Sequence, residues 1–340
     1  MEHRTLGHSG LAVSRLTLGT MNFSTGPDTS CDEQQARRII HGYLDAGGTV
    51  VDTADIYHGG RSEEIVGRAI ATRRDEVVLA TKGSGPLGPG PNDRGLSRRH
   101  LTRALEASLR RLDVDHVDLY QCHNWYPDTP IEETMATLDG FVRSGKVRYL
   151  GCSNYTAGQI VESLWAGQRL GGGGAPFVSL QPHYSLLARD IEAEILPTCV
   201  RYGLGTLTYG PLAGGVLAGR YQRHASPEPG SRMDRWYRFP TPAAGRWADA
   251  MLRERNFDVV DHVVEIADQL GATPSAVAVA WLMGRPGVTS VILGPRTLEQ
   301  LQDTVTALSL ELPPELTERL DLVSAPSNEP VTGIPAGLRG

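Results

Sequence analysis

Val77-Val78-Leu79-Ala80-Thr81-Lys82 is followed by Ser97 and a segment with Leu101, Ala104, Leu105, Leu109 and Leu112 on one helical face, then by Val117-Asp118-Leu119-Tyr120-Gln121-Cys122-His123. The first and last runs are short and mostly apolar, as strands covered on both faces should be, and the middle has helical periodicity behind a serine N-cap. The stretch therefore reads as one strand-helix-strand unit with its two strands parallel.

Working outward, the same unit recurs. Further strand-like runs lie at Arg15 to Thr20, Thr49 to Thr53, Val147 to Cys152, Phe177 to Gln181, Gly205 to Tyr209 and Thr289 to Leu293, with amphipathic segments between them. Helix starts are marked at Thr129-Pro130-Ile131-Glu132, which combines an N-cap, a first-turn proline and a capping glutamate, and at Thr297-Leu298-Glu299-Gln300, which has the form of a capping box. No composition break divides the series, so residues 1–340 are expected to form a single α/β domain, a closed (β/α)8 TIM barrel. Two half-sheets are the alternative architecture. Outside the repeat stand an N-terminal hairpin at residues 2–13 around His8-Ser9-Gly10, expected to plug the barrel bottom, and a long irregular insert at 218–250 after strand seven. A proline- and glycine-rich C-terminal tail follows Ser324. Gly171 to Gly174 is read as a bridge into strand six.

Apolar residues make up 40% of the chain and charged residues 21%, with no long single-sign run, which places it among folded proteins with a sizeable core. A net charge of −6 gives no overall attraction to nucleic acid or anionic membrane, and neither is expected as a partner. Cys31, Cys122, Cys152 and Cys199 are widely spaced without a C-x-x-C and read as buried free thiols. No signal-like or membrane-spanning apolar stretch is present, which leads to the expectation of a cytoplasmic protein.

Lys82 is one of only two lysines beside 31 arginines. It ends a strand where a barrel keeps its active site. Asp52, with Tyr57 five residues on, and His123 end the neighbouring strands. An acid, a phenol, an ammonium and an imidazole gathered at one barrel mouth suit proton donation from Tyr57 to a carbonyl oxygen. The Lys82 ammonium is expected to lower the phenol's pKa, Asp52 to keep Lys82 protonated, and His123 to hydrogen-bond the oxygen as charge develops. No nucleophile is required, and no cluster has the spacing of metal ligands.

The chain resembles the aldo-keto reductases. The resemblance runs over nearly its whole length, through Gly47-Gly48-Thr49-Val50-Val51-Asp52-Thr53-Ala54-Asp55-Ile56-Tyr57, Ser62-Glu63-Glu64 to Gly67, Ala80-Thr81-Lys82, Asp118 to His123, Gly145 to Asn154, Gln181-Pro182-His183-Tyr184 and Tyr209 to Gly215. It implies a nicotinamide-dependent oxidoreductase on a (β/α)8 barrel with Asp52, Tyr57, Lys82 and His123 as catalytic tetrad. It further implies that Ser153, Asn154 and Gln181 hold the nicotinamide carboxamide, that Tyr209 stacks beneath the ring, and that Gly210, Leu212 and Gly214 wrap the pyrophosphate. Gly294 and Arg296 follow strand eight, where relatives bind the adenosine 2′-phosphate, and the guanidinium fork suits that dianion, so NADPH/NADP+ is the expected cofactor. Gln300 and Asp303 match positions near phosphate and adenine, whereas Thr304 departs from the usual asparagine. No G-x-G-x-x-G follows the first strand, so a Rossmann-type site is not supported.

Phe23, Trp125, Tyr126 and Trp236 are expected to wall a pocket for a small-molecule carbonyl substrate. The insert's six arginines against three acids suggest an anionic ligand, cofactor phosphates included. That excess motivates one specific alternative, a ketoreductase of a nucleotide-linked keto-deoxysugar. An alternative from another class is a cofactor-binding regulatory module similar to potassium-channel β subunits.

Overall fold

The computed structural model describes residues 1–25, 31–239 and 241–326, so the tail from 327 onward lies outside the described residues. The strands in chain order are β1 (His3–Thr5), β2 (Ala12–Ser14), β3 (Leu16–Gly19), β4 (Val50–Asp52), β5 (Val78–Gly83), β6 (Val117–Cys122), β7 (Val147–Ser153), β8 (Phe177–Gln181), β9 (Gly205–Tyr209) and β10 (Ser290–Leu293). β3 to β10 pair in sequence order, and β10 returns to β3 to close an all-parallel barrel. Closure excludes two half-sheets. The helices are α1 (Glu33–Asp45), α2 (Arg61–Ile70), α3 (Arg98–Leu112), α4 (Ile131–Arg143), α5 (Ala157–Gln168), α6 (Ile195–Tyr202), α7 (Arg232–Arg238), α8 (Pro242–Met251), α9 (Glu254–Leu270), α10 (Pro274–Met283), α11 (Leu298–Val305) and α12 (Pro314–Val323). Among the described residues no helix is long and apolar enough to cross a membrane.

β1 and β2 form the expected antiparallel hairpin. Leu6 at its turn is fully buried against Val50, Ala80, Leu119, Leu207 and Ile292 inside the barrel, and the His8 N–H donates to Gly203 O at 2.8 Å just ahead of β9. The hairpin therefore closes the N-terminal end. Side chains of a strand alternate between faces, so the residues two beyond Val50, Ala80 and Leu119 also point inward, one layer nearer the opposite mouth. They are Asp52, Lys82 and Gln121. The apolar plug below and the polar layer above are thus consequences of one period.

Two expectations about local structure are corrected. The insert at 218–250 is not irregular, because it carries α7, whose Ser231 N-cap accepts from the Asp234 N–H, and most of α8, which opens with Pro242 at its first position. α4 begins at Ile131 with Pro130 at the cap position and no side-chain cap, so Thr129 does not serve as N-cap. Ser97 caps α3 as expected by accepting from the His100 N–H. All four cysteines are buried and free.

Gly67 lets α2 lie directly against the end of α3, where a Cβ would stand 2.3 Å from Leu112 O. That oxygen belongs to backbone and cannot rotate away. Gly67→Ala is accordingly expected to destabilise the protein by about 1–3 kcal/mol, the usual cost of overpacking, read as a lower midpoint in urea unfolding.

Candidate active site

The Lys82 side chain is fully buried and its ammonium has three acceptors: Asp52 Oδ2 at 2.6 Å, Thr53 O at 2.8 Å and Tyr57 Oη at 3.2 Å. All three protons are taken. The other carboxylate oxygen of Asp52 accepts from Gln121 Nε2 at 3.0 Å and Gln181 Nε2 at 2.9 Å, which fixes the rotamer that faces Lys82. Burial pulls the Lys82 pKa down, but Asp52 and then Tyr57 outweigh it, and the net shift is upward. An ammonium is the resting state here.

Tyr57 follows β4 in a tight turn, with His58 in the left-handed region at φ 51°. Its ring meets that of His123 edge-on at 5.9 Å, which brings the four expected side chains together. One expectation is corrected. Burial raises the Tyr57 pKa more than the Lys82 ammonium lowers it, and Asp52 and Asp55 push it further up, so the resting phenol is a weaker acid than free tyrosine. His123 is held at a pKa of about 3 by burial and then by the Lys82 charge, so it is a neutral imidazole across the physiological range.

The residues expected around the nicotinamide form one connected group. Ser153 Oγ donates to Gln181 O at 2.8 Å, Tyr209 Oη donates to Asn154 Oδ1 at 2.9 Å, and Asn154 Nδ2 donates to His123 O at 3.1 Å. One face of Tyr209 is covered by His183, stacked at 5.1 Å; burial lowers the His183 pKa to about 4. The loop after β9 turns through left-handed conformations at Gly210, Ala213, Gly214 and Gly215. Within it the N–H groups of Ala213 and Gly215 donate to Gly210 O and Leu212 O.

Beside that loop the chain collects positive charge. Arg232, the first residue of α7, lies with its Cγ 3.3 Å from where a Cβ on Gly214 would stand, and Arg220 Cδ stands 3.2 Å from the same point on Gly215. The Arg232 guanidinium donates to Asn22 Oδ1 and sits over the Trp236 ring, while Asn22 Nδ2 donates to Gly294 O at 2.8 Å. Burial lowers the Arg232 pKa to about 10, with Arg235 and Arg296 adding to it, and the Arg296 pKa is lowered by burial, Arg235 and Arg220. Among the described residues none of Arg220, Arg232, Arg235 and Arg296 has a salt bridge to a carboxylate. By contrast, Arg223 binds Glu254, Asp258 and Asp261, and Arg238 binds Asp234.

At α11, Thr297 caps the Gln300 N–H, but the Gln300 side chain accepts from the Arg296 N–H at 2.9 Å instead of returning to Thr297. The capping box is half formed, and its other half orders the backbone at Arg296. The Thr304 hydroxyl donates to Gln300 O at 2.6 Å within its own helix, and Asp303 O accepts from Thr306. Of the expected pocket aromatics, Trp125 packs edge-on to Tyr155 at 5.3 Å, and Tyr126 lies against Gly95. Trp236 lies against Trp247 beside Gly214. Phe23 is fully buried in the core and presents no surface to a ligand in this conformation.

Sequence reasoning passed over Gln121, Asn22, Arg232 and His183. Gln121 was readable, since it stands two residues before His123 and two beyond the inward-facing Leu119. Asn22 and Arg232 meet across a separation of 210 residues, and no local pattern announces that contact.

A family model described as the aldo/keto reductase family matches residues 15–325. An uncharacterized oxidoreductase of Bacillus subtilis is 39% identical over 97% of this chain and 98% of its own length. A probable voltage-gated potassium channel subunit beta of Arabidopsis thaliana is 38% identical over 91% and 92%, and the L-glyceraldehyde 3-phosphate reductase of Escherichia coli is 34% identical over 91% and 88%.

The two depressed histidines set an acid limit. His123 and His183 bind fewer protons folded than unfolded between their folded values of about 3 and about 4 and the ordinary 6.5. Their contribution to stability is whole above 6.5 and lost as pH falls toward those values. Urea unfolding should show stability dropping below that pH, with a shallower drop in a His123→Asn, His183→Asn double variant.

Proposed function

The chain belongs to the aldo/keto reductase family, and from that premise we propose that it reduces an aldehyde or ketone with NADPH, using Tyr57 as the general acid. The observation that carries this reading is the Tyr57 phenol 3.2 Å from an ammonium that is itself paired to Asp52 at 2.6 Å. NADPH, when bound, supplies the hydride. The carbonyl oxygen takes the Tyr57 proton as the hydride arrives, and the phenolate left behind is stabilised by Lys82. A neutral His123 offers an N–H to the same oxygen without adding a second positive charge. Asp52, held by Gln121 and Gln181, keeps Lys82 charged and aimed.

In this reading Ser153, Asn154 and the Gln181 side chain hold a nicotinamide carboxamide after exchanging their present hydrogen bonds, and Tyr209 stacks beneath the ring. Gly210, Leu212 and Gly214 supply backbone for the pyrophosphate. The four arginines that have no carboxylate partner among the described residues favour a phosphate-rich ligand, since crowded cations in one place cost energy until an anion joins them. In this reading Arg296 takes the 2′-phosphate beside Gly294. Arg232, close enough to Arg296 and Tyr57 to feel the charge of each, takes the pyrophosphate. Gln300 holds the backbone at Arg296, and Asp303 lies on the same helix toward adenine. Thr304 is removed from adenine recognition by its bond inside α11.

Three of the insert's arginines are thus accounted for by the cofactor and two more by salt bridges, so the arginine excess gives no separate support to a sugar-nucleotide substrate. Trp125 and Tyr126, in the loop that follows His123, are left as the aromatic wall for a small carbonyl compound. Relatives named as potassium channel subunits favour a second reading, a cofactor-binding module. Sustained NADPH oxidation with a carbonyl compound decides between the two, since a module would bind NADPH without turnover.

Tyr57→Phe is expected to lower kcat roughly 100- to 10,000-fold, the range for loss of a general acid, with the NADPH Kd nearly unchanged in a fluorescence titration. Wild-type turnover in that variant would remove Tyr57 from the acid role. Arg296→Ala should weaken NADPH binding by roughly 10- to 100-fold and NADH binding far less, whereas Arg232→Ala should weaken both alike. Equal losses in Arg296→Ala would remove its 2′-phosphate role.

A further inference from the structure

Asp55 lies in the loop between Asp52 and Tyr57 and is fully buried, yet neither of its carboxyl oxygens has a hydrogen-bond partner among the described residues. The charged groups among the described residues that act on it, Glu63, Arg111 and Lys82, are engaged elsewhere. From β5, Lys82 has its three protons on Asp52, Thr53 and Tyr57. From α3, Arg111 donates through Nε to Glu63 Oε2 at 2.7 Å and through a terminal nitrogen to Ser108. From α2, Glu63 takes that guanidinium on one oxygen and the Thr81 hydroxyl on the other, at 2.6 Å, and adds a like charge near Asp55. From β6, the Tyr120 hydroxyl is buried and equally without a partner, and the Tyr126 phenol in the loop beyond is close enough to feel an Asp55 charge. Gly83 makes the space. The Tyr120 hydroxyl and Asp55 Oδ2 stand 2.1 Å and 3.5 Å from where its Cβ would be.

A carboxylate in such a position would be buried, unpaired and beside another carboxylate, which the interior does not tolerate. The group escapes by keeping its proton. Its location is equally constrained, because the Asp55 N–H donates to Lys82 O at 3.1 Å, which pins the loop to the end of β5 behind the tetrad.

We propose that Asp55 is a positioning residue that acts as a neutral, proton-carrying carboxyl, and that the acid strength of Tyr57 depends on Asp55 remaining uncharged. The inference rests on Tyr57 being the acid. Burial and Glu63 raise the Asp55 pKa to about 8, against smaller opposing effects of Arg111, the Ile56 backbone N–H and Lys82. Below that value Lys82 faces a single carboxylate, Asp52, and stabilises the phenolate that forms when Tyr57 gives up its proton. Above it the loop gains a negative charge that opposes the phenolate, in the direction already seen at Tyr57, whose pKa Asp55 raises. Reduction slows as Asp55 ionises, well before the phenol itself titrates.

Two measurements test this. The pH profile of kcat for carbonyl reduction should descend in the wild type with a midpoint near about 8, and that descent should vanish in Asp55→Asn, which carries the same shape without the charge. Infrared difference spectra of the ligand-free wild type should show a protonated carboxylic acid at neutral pH that fades with the same midpoint and is missing from the variant. Persistence of the descent at the same midpoint in Asp55→Asn, or absence of the infrared band at neutral pH, overturns the proposal. The infrared titration stands even where the variant fails to fold. A band without any descent in the wild type overturns the link to Tyr57, and a fully active Tyr57→Phe then traces the failure to the acid assignment instead.

Discussion

The buried ammonium of Lys82 is the constraint from which the rest of the barrel mouth follows. Removing an ammonium from water costs several kcal/mol even after relaxation, and only close, well-oriented acceptors offset that. Here they come from one carboxylate at 2.6 Å, one carbonyl at 2.8 Å and one phenol at 3.2 Å. The carboxylate must then be fixed in turn, which explains two glutamine side chains, Gln121 and Gln181, donating to its second oxygen inside a barrel otherwise filled by aliphatic groups. A guanidinium could not replace the ammonium, because its five donors would need acceptors that this layer lacks.

The opposite side of the mouth is built on a different principle. Around Tyr57 each charge has a partner, whereas Arg220, Arg232, Arg235 and Arg296 are brought together with no carboxylate partner among the described residues. The first arrangement completes itself, and under the proposed function the second is completed by the cofactor phosphates. The two meet through Asn22, which joins Arg232 of α7 to the end of β10 and so ties the insert to the barrel rim. The tryptophan beneath Arg232 serves the same assembly, with its indole face toward the guanidinium.

Much of this was legible in the sequence because it depends on short periods. Strand alternation carries Val50 to Asp52 and Ala80 to Lys82, and with Leu119 it would have carried to Gln121 had the same rule been applied there. The β5–α3–β6 unit was readable from Ser97 and the leucines after it for the same reason. What escaped depends on distance through the chain or on competition between forces. Thr129 lost its capping role because Pro130 sets the backbone at the start of α4. Gln300 was matched to a capping pattern, but the Arg296 N–H lay nearer its side chain. The helices of the insert were hidden because their proline, glycine and arginine content weakens helical periodicity. Arg232 was hidden with them, visible only as part of a local charge excess.

The Tyr57 correction is the most informative of these, because sequence reasoning had the right sign for Lys82 but left out burial, which outweighs it. An ammonium beside a phenol does lower its pKa, but burial of the same phenol and the negative charge of Asp52 raise it further. A general acid benefits from this balance. At rest the phenol keeps its proton at any physiological pH, so the donor is always loaded. As the proton leaves, charge develops next to an ammonium that is already oriented and desolvated, and the interaction is strongest in the transition state. Lys82 therefore contributes through where its charge is held, and the apolar surroundings that oppose ionisation in the resting protein are what make that charge effective when ionisation begins.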